Sequence, residues 1–358
     1  MINDFVEYWA AAKLLLAGGN PYSPTELLLI ERSIGWSQPE PLVMWNPPWT
    51  LPLIMPLGVL GYDTAQLTWF LLHSLIIFVG AQILWQSYAG DPKNARYSLL
   101  AVLVFPPIYF ALLLGQIGPL ILLGIIGFLF FAQKKAWLFA GASLSLVSIK
   151  PHVSYLLWIA LIFWVLREKL WRLALGAAIA GLLLVLMPLG WNSAIYTEYV
   201  ELLSSHAVVQ PIEWATPTLG TALGVLLGNP SGVIRWLPSV LGALWFVWYW
   251  SHHRAGWNCF VETPLVLLVS VATASFAWTF DHVVLLPAVV QCAVWMAKES
   301  IIKRQRYLII GLYLAFAAVL VLGKAIAVND FWYFYFAPML LLLYLHVRRQ
   351  VGVAGKCP

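Results

Sequence analysis

Two carboxylates and a phenol sit within about one helical turn near the start of the chain: Asp4, Glu7 and Tyr8. Their spacing of i, i+3 and i+4 places them on one helix face, with Ala11 completing it. A carboxylate beside a second acid and a hydroxyl can take a proton from an alcohol and keep that alcohol in line. The plain alternative is a capping Asp and a solvated Glu on an interfacial helix, and residue types alone leave both readings open. Four later blocks add polar groups between apolar stretches. In Trp45-Asn46-Pro47-Pro48-Trp49, Asn46 offers an amide to a sugar, while the prolines read as a turn where the chain enters a membrane. Gly115-Gln116-Ile117-Gly118-Pro119 reads as a tight hairpin in which Gln116 satisfies the turn backbone, or else contacts substrate. Ser148-Ile149-Lys150-Pro151-His152 presents a cation and an imidazole to an anionic headgroup, unless Lys150 merely snorkels from a helix end. Trp278-Thr279-Phe280-Asp281-His282 places an acid and an imidazole where they are costly unless paired or facing a cavity. A capped turn is the alternative there.

The elements that must position these groups are apolar. Of 358 residues, 62% are apolar and only 10% charged. A soluble domain is about half apolar and about a quarter charged. An ordinary soluble enzyme, a disordered chain and a disulfide scaffold are therefore excluded. Twenty Trp and 15 Tyr suit membrane interfaces. The reading is an all-α integral membrane protein, 1–358 forming a single polytopic domain. A span needs about 20 mostly apolar residues. About 11 candidate spans follow, near 62–86, 97–113, 117–133, 136–149, 152–166, 173–190, 232–250, 260–278, 283–297, 307–323 and 331–347.

Charge orients them. Lys93/Arg96, Lys134/Lys135, Arg167/Lys169/Arg172, His252/His253/Arg254, Lys298/Lys303/Arg304/Arg306 and Arg348/Arg349 fall on alternate connections. These hold most of the basic residues and so read as the cytoplasmic side, with the C-terminus. The other connections hold most of the acids, and Lys150 sits among them against the bias. The polar chemistry is thus expected on the extracytoplasmic face of a multi-pass protein of the plasma membrane. Two long segments lie there, 1–61 as a first outer loop with interfacial helices and 191–231 as a second. In the second, Glu198, Glu201, His206, Gln210, Glu213 and Trp214 suit carbohydrate contacts without a diagnostic spacing. A further apolar span ahead of residue 4 is expected, to hold the first helix at the membrane face. Asp4, Glu7 and Lys13 interrupt the first apolar stretch, so it does not read as a signal peptide.

The net charge of +5 is spread in short clusters between spans, which argues against a nucleic-acid partner. Cys259, Cys292 and Cys357 form no CxxC pair, and no metal-ligand cluster or cofactor motif is read. No phosphate-binding glycine loop, serine-hydrolase elbow or HExxH is found in a usable context, which disfavours an ATPase, a serine hydrolase and a zinc protease.

The run D-F-x-x-Y-W-x-A-A-x-L-L-L-x-G-x-N-P-Y from Asp4 to Tyr22, followed by Asn46-Pro47-Pro48 and a proline-rich apolar stretch, resembles glycosyltransferase family 87. Gly115-Gln116, Lys150-Pro151 and Phe280-Asp281-His282 are similar to further recurring blocks of that family. The likeness runs from residue 4 to about 300, and the first block is its most specific part. It implies a GT-C-type multi-span bundle with helical outer loops and an outward-facing site. The implied donor is a hexose, mannose first, on a polyprenyl phosphate. The acceptor is a lipid or glycan, and the displacement inverts the anomeric centre. The acid of the first outer loop, here Asp4, is implied as base.

Elementary chemistry fits that expectation. A lipid-linked donor approaches laterally, and polyprenyl phosphate leaves well once a cation neutralises its developing charge. One base suffices for inversion, whereas retention would need a carboxylate nucleophile. The expected roles are Asp4 as base, Glu7 and Tyr8 as acceptor orienters, and Lys150 and His282 as donor-phosphate contacts with Asp281 positioning His282. Asn46, Gln116 and His152 complete the candidate substrate contacts. Competing readings are a lipid or solute transporter or flippase and a non-catalytic assembly protein of GT-C type. Transporters often show internal repeats with sites near the midplane; no repeat is found here, and the charges lie at one face.

Overall fold

The computed structural model describes residues 3–205, 211, 214–228, 233–298 and 301–352, and these are helical with no strand among them. His206, Gln210, Glu213 and Cys357 lie outside the described residues. The chain opens with α1 (Phe5–Leu16), α2 (Pro24–Ser33) and α3 (Leu51–Gly58). There follow α4 (Tyr62–Ser87), α5 (Arg96–Leu103), α6 (Pro106–Leu113), α7 (Gly118–Gln133), α8 (Trp137–Leu144), α9 (Tyr155–Glu168) and α10 (Trp171–Leu186). The second half holds α11 (Ile195–Ser204), α12 (Leu219–Leu226), α13 (Leu237–His253), α14 (Cys259–Thr273), α15 (Leu286–Ala297), α16 (Lys303–Ala325) and α17 (Phe336–Gln350).

Five stretches are long and apolar enough to cross a membrane: Tyr62–Ser87, Trp171–Gly190, Thr279–Ala297, Lys303–Ala325 and Asp330–Gln350. The pair Pro92–Leu103 and Pro106–Leu113 makes a sixth if read as one span bent by 61°. Pro106 and Pro107 follow Phe105 at the bend, where a proline removes a backbone donor and disfavours helix in the residue before it. Each of the remaining apolar segments also contains helix, in shorter pieces such as Gly118–Gln133, Trp137–Ile149 and Cys259–Thr273.

The spanning helices leave leucine-rich faces uncovered, as at Leu67, Leu71 and Leu75 on α4 and Leu182, Leu183 and Leu186 on α10. In water such faces would be a liability, and in hydrocarbon they cost nothing. Between helices the contacts rely on small residues. A Cβ on Gly141 of α8 would lie 2.0 Å from the Leu173 carbonyl of α10, and one on Gly176 would lie 2.1 Å from the Leu138 carbonyl. The two backbones therefore touch, which is how membrane helices gain packing without a hydrophobic driving force.

α1 differs from the spans. Almost every residue of it is buried, against α3, α2 and the start of α4. Gly18, in the left-handed region, and Gly19 end it, and Asn20 closes the following turn by accepting the Tyr22 N–H. The two long polar segments come together beside it. Asn192 donates to the Gly19 carbonyl at 3.2 Å, and Tyr199 of α11 donates to the Trp45 carbonyl at 3.2 Å.

Candidate active site

The N-terminus of α1 is fixed by Asn3, whose side chain accepts from the Phe5 N–H and from Gln66 and donates to the Leu113 carbonyl. Asp4 occupies the N-cap position but makes no capping hydrogen bond. Its carboxylate is thereby released from the structural role its position suggests. It accepts instead from Gln116, whose Nε2 lies 2.8 Å from Asp4 Oδ2 across 112 residues of sequence. The Gln116 Oε1 accepts from the Tyr8 hydroxyl at 3.2 Å. Gln116 therefore bridges acid and phenol rather than satisfying its own turn. The turn is built for this approach: Gly115 has φ +70°, and a Cβ there would lie 2.7 Å from the Phe5 Cβ. Its carbonyl is anchored by Trp69 Nε1 at 2.8 Å.

A second pair lies within electrostatic reach of the first. Lys150 Nζ lies 2.7 Å from Asp281 Oδ1, with Lys150 12% exposed and Asp281 1%. The other Asp281 oxygen accepts the Trp278 N–H at 2.9 Å. Asp281 thus spends both oxygens on Lys150 and its own turn and does not hold His282. The His282 ring stacks on Phe336 at 5.7 Å, and its Nδ1 is buried without a partner. His152 sits edge-on to Phe276 at 5.5 Å, again with a buried unpartnered nitrogen, Nε2. Asn46 is buried, and its carbonyl accepts the Tyr22 hydroxyl at 3.0 Å. The neighbouring Trp49 donates to Ser148, which ties this segment to the Lys150 turn. The geometry brings Asp4, Glu7, Tyr8, Gln116, Lys150 and Asp281 into one electrostatic cluster, with His152 at its side and His282 turned into the helix packing.

Electrostatics divides the acids. Burial raises the Asp4 carboxyl above its ordinary value, and the Gln116 hydrogen bond and Lys150 charge pull it part of the way back. Burial and then the Asp4 charge push Glu7 up to about 8, opposed by Tyr8 and Lys150. Two close carboxyls in a poorly solvated place cannot both ionise cheaply. Of the two, Asp4 has the nearer help, from the Gln116 donor and the Lys150 charge, while burial and the Asp4 charge hold the proton on Glu7. Burial holds His152 down at about 4, so it is a neutral imidazole and not a second cation.

Sequence reasoning missed two features. Glu31 is fully buried on α2, accepts the Leu42 N–H on both oxygens at 3.2 Å, and adds negative charge near Glu7. Its signal was its place four residues after the core residue Leu27, blurred by the apolar Leu28, Leu29 and Ile30 between. The other is the set of rings that surrounds Trp214, which the sequence named without its partners. Trp214 lies 6.2 Å from Trp45 and 6.0 Å from both Phe276 and Trp278, and these four rings are only partly covered. Beyond them Trp278 stacks on Phe280, over which Lys150 sits at 5.2 Å. Among the described residues no three His, Cys, Asp or Glu side chains converge as they would around a metal ion.

The profile of glycosyltransferase family 87 matches residues 45–272, well over half of the chain. The chain belongs to glycosyltransferase family 87. It is therefore a membrane glycosyltransferase, with a donor, an acceptor and a bilayer as its partners. The matched interval contains Asn46, Gln116, Lys150 and His152, while Asp4, Glu7, Tyr8, Asp281 and His282 lie outside it. Comparison with curated proteins gives no match, and neither does comparison with solved structures.

Proposed function

We propose that this family member moves a hexose, mannose in the first instance, from a polyprenyl-phosphate donor to a hydroxyl of a lipid or glycan acceptor, with inversion at C1. The reaction takes place at the extracytoplasmic face of the plasma membrane, in a GT-C-type bundle of about eleven spans with its C-terminus cytoplasmic. The observation that carries this reading is a carboxylate held by Gln116 within electrostatic reach of the Lys150 cation. Gln116 occupies Asp4 Oδ2 and leaves Oδ1 free of any described protein partner.

Asp4 Oδ1 takes the acceptor proton as the acceptor oxygen bonds to C1. The C1–O bond to phosphate breaks on the opposite side, and the electron pair leaves with polyprenyl phosphate. Lys150 has two ammonium hydrogens beyond the one on Asp281, and they meet the charge that develops on the departing oxygen. Protonated Glu7 and Tyr8 orient the acceptor, and neutral His152 donates a hydrogen bond without adding charge. The half-covered rings of Trp45, Trp214 and Trp278 suit the apolar face of a sugar, because they bury CH groups while leaving the hydroxyls wet. His282 acts through the packing of its turn on Phe336.

The test is a transfer assay on lipid-reconstituted protein, with a panel of polyprenyl-phosphate hexoses and pentoses and a mixed acceptor extract, read by mass spectrometry. Asp4→Asn is expected to lower turnover by about 10²–10⁴-fold, the usual worth of a positioned base. Transfer that survives Asp4→Asn, or sugar movement across the membrane with no covalent product, would overturn the proposal.

A further inference from the structure

A second site lies away from this cluster. Helices α5, α15, α16 and α17 enclose a cavity of about 530 Å³. That is within the ~300–1,000 Å³ of small-molecule sites. It runs beside α15 from Ala288 to Ala297, about 13 Å of helix rise, and so extends away from the Asp281 turn. Its wall is mostly apolar, and part of that wall faces outward: Leu100 is 50% exposed and Leu314 45%.

The shape has a closed end and an open end. α15 packs on α5 and α17, and α17 packs on α16, while α6 closes on α16. The Tyr313 hydroxyl donates to the Val104 carbonyl at 2.8 Å and ties α16 to the end of α5. Toward the start of α16 no comparable tie joins the two helices among the described residues, and the groove is lined there by Asn94 and Arg306. Arg306 reaches the Ile301 carbonyl at 3.4 Å, but its Nε is buried and has no partner. Lys93, Arg96, Lys303 and Arg304 stand exposed on the same two segments, against the single described acid Asp91.

We propose that this groove binds one anionic phospholipid, with an acyl chain in the apolar cavity and the phosphate at Arg306. An apolar slot between spans, open to the side, offers a chain contacts on three faces. A guanidinium at its mouth with an unused donor selects a phosphate by charge-assisted hydrogen bonding. A zwitterionic lipid would fill the same slot but gain less from the surrounding cations. The site is separate from the transferase cluster, so its failure leaves that reading untouched.

The experiment is native mass spectrometry of the purified full chain offered phosphatidylglycerol, phosphatidylethanolamine and polyprenyl phosphate. The expected result is one retained phosphatidylglycerol, in preference to phosphatidylethanolamine. Arg306→Gln should reduce that preference roughly five-fold, the worth of about one basic residue at a lipid surface, while leaving the slot itself able to hold lipid. Ala293→Phe and, on the facing helix, Ala101→Leu should fill the slot and remove both lipids; a folding failure of one leaves the other to be read. No retained phospholipid, equal retention unaltered by Arg306→Gln, or one-for-one displacement by polyprenyl phosphate would each overturn the proposal.

Discussion

The Glu262–Arg348 cluster and the Asp4–Lys150–Asp281 cluster both hold charges among apolar helices, and they differ in what is left over. Arg348 meets Glu262 as a fork, at 3.0 Å to one oxygen and 2.6 Å to the other. Tyr249 donates to the same carboxylate at 2.7 Å and accepts from Arg348 at 3.2 Å. Acid, base and phenol answer one another, and nothing remains for a ligand. In the other cluster Asp4 has an open oxygen, Lys150 has spare hydrogens, and the adjoining His152 Nε2 is buried without a partner. A satisfied buried pair holds helices together, whereas unsatisfied buried polar groups are kept at a cost and await something that completes them.

Variants can break that contrast. The largest effect expected in the closed cluster is on stability. Arg348→Met strands the Glu262 carboxylate and should cost about 3–5 kcal/mol, seen as a fall in thermal midpoint, with kcat per folded molecule unchanged. In the open cluster the effects should fall on turnover. Lys150→Met, measured as single-turnover rate per folded molecule, should lose about 30–200-fold, the worth of a charge-assisted contact of about 2–3 kcal/mol. Loss of stability alone, with the rate per folded molecule intact, would make Lys150 a structural partner of Asp281 like Arg348. Gln116→Leu should lower kcat about ten-fold with little change in KM, because it frees Asp4 to rotate without removing it.

Glu7→Gln sharpens the comparison through pH. Glu7 has its proton held on by the fold, up to about 8 against an ordinary 4.5. Wild-type turnover should therefore fall above about pH 8, as ionised Glu7 crowds Asp4, and the variant should keep its rate into more alkaline solution. Stability follows the same sign. The folded state favours the protonated acid, so the wild type loses stability as pH rises from 4.5 to about 8, and the variant does not. The thermal midpoint of the variant should gain on the wild type across that window. Parallel pH curves would mean that Glu7 is ionised throughout and belongs to a solvated face.

Much of the frame is legible in the chain order. The apolar runs become helices, and the Asp4–Glu7–Tyr8 face follows from helical period alone. The site partners are less legible because they are remote. Gln116 comes from a turn 112 residues after Asp4, and Asp281 lies 131 residues after Lys150. A sequence pattern reports which face of a helix a group occupies and not which group of another helix will oppose it. Asp281 and His282, read from the sequence as a pair, take different partners for a local reason. Neighbouring residues in the tight turn Thr279–Leu285 point in different directions, so Asp281 reaches Lys150 while His282 packs on Phe336. Single spans were harder still, since short apolar helices such as Gly118–Gln133 and bent ones such as Pro92–Leu113 carry the same composition as straight ones.

What the sequence determined by itself is the solvent and the element. With so few charges and so many apolar residues, the backbone must satisfy its own hydrogen bonds, and helices in a bilayer do so within one segment. It also determined that Asp4, Glu7 and Tyr8 share a face and that Lys150 stands among acids. Only the tertiary structure decided which of these groups stay charged. Ionisation depends on how much water remains around a carboxyl and on what donor or cation is brought within a few ångströms. Both are set by the packing of α1 against the Gly115 turn and of the Lys150 turn against Asp281, through contacts between residues far apart in the chain.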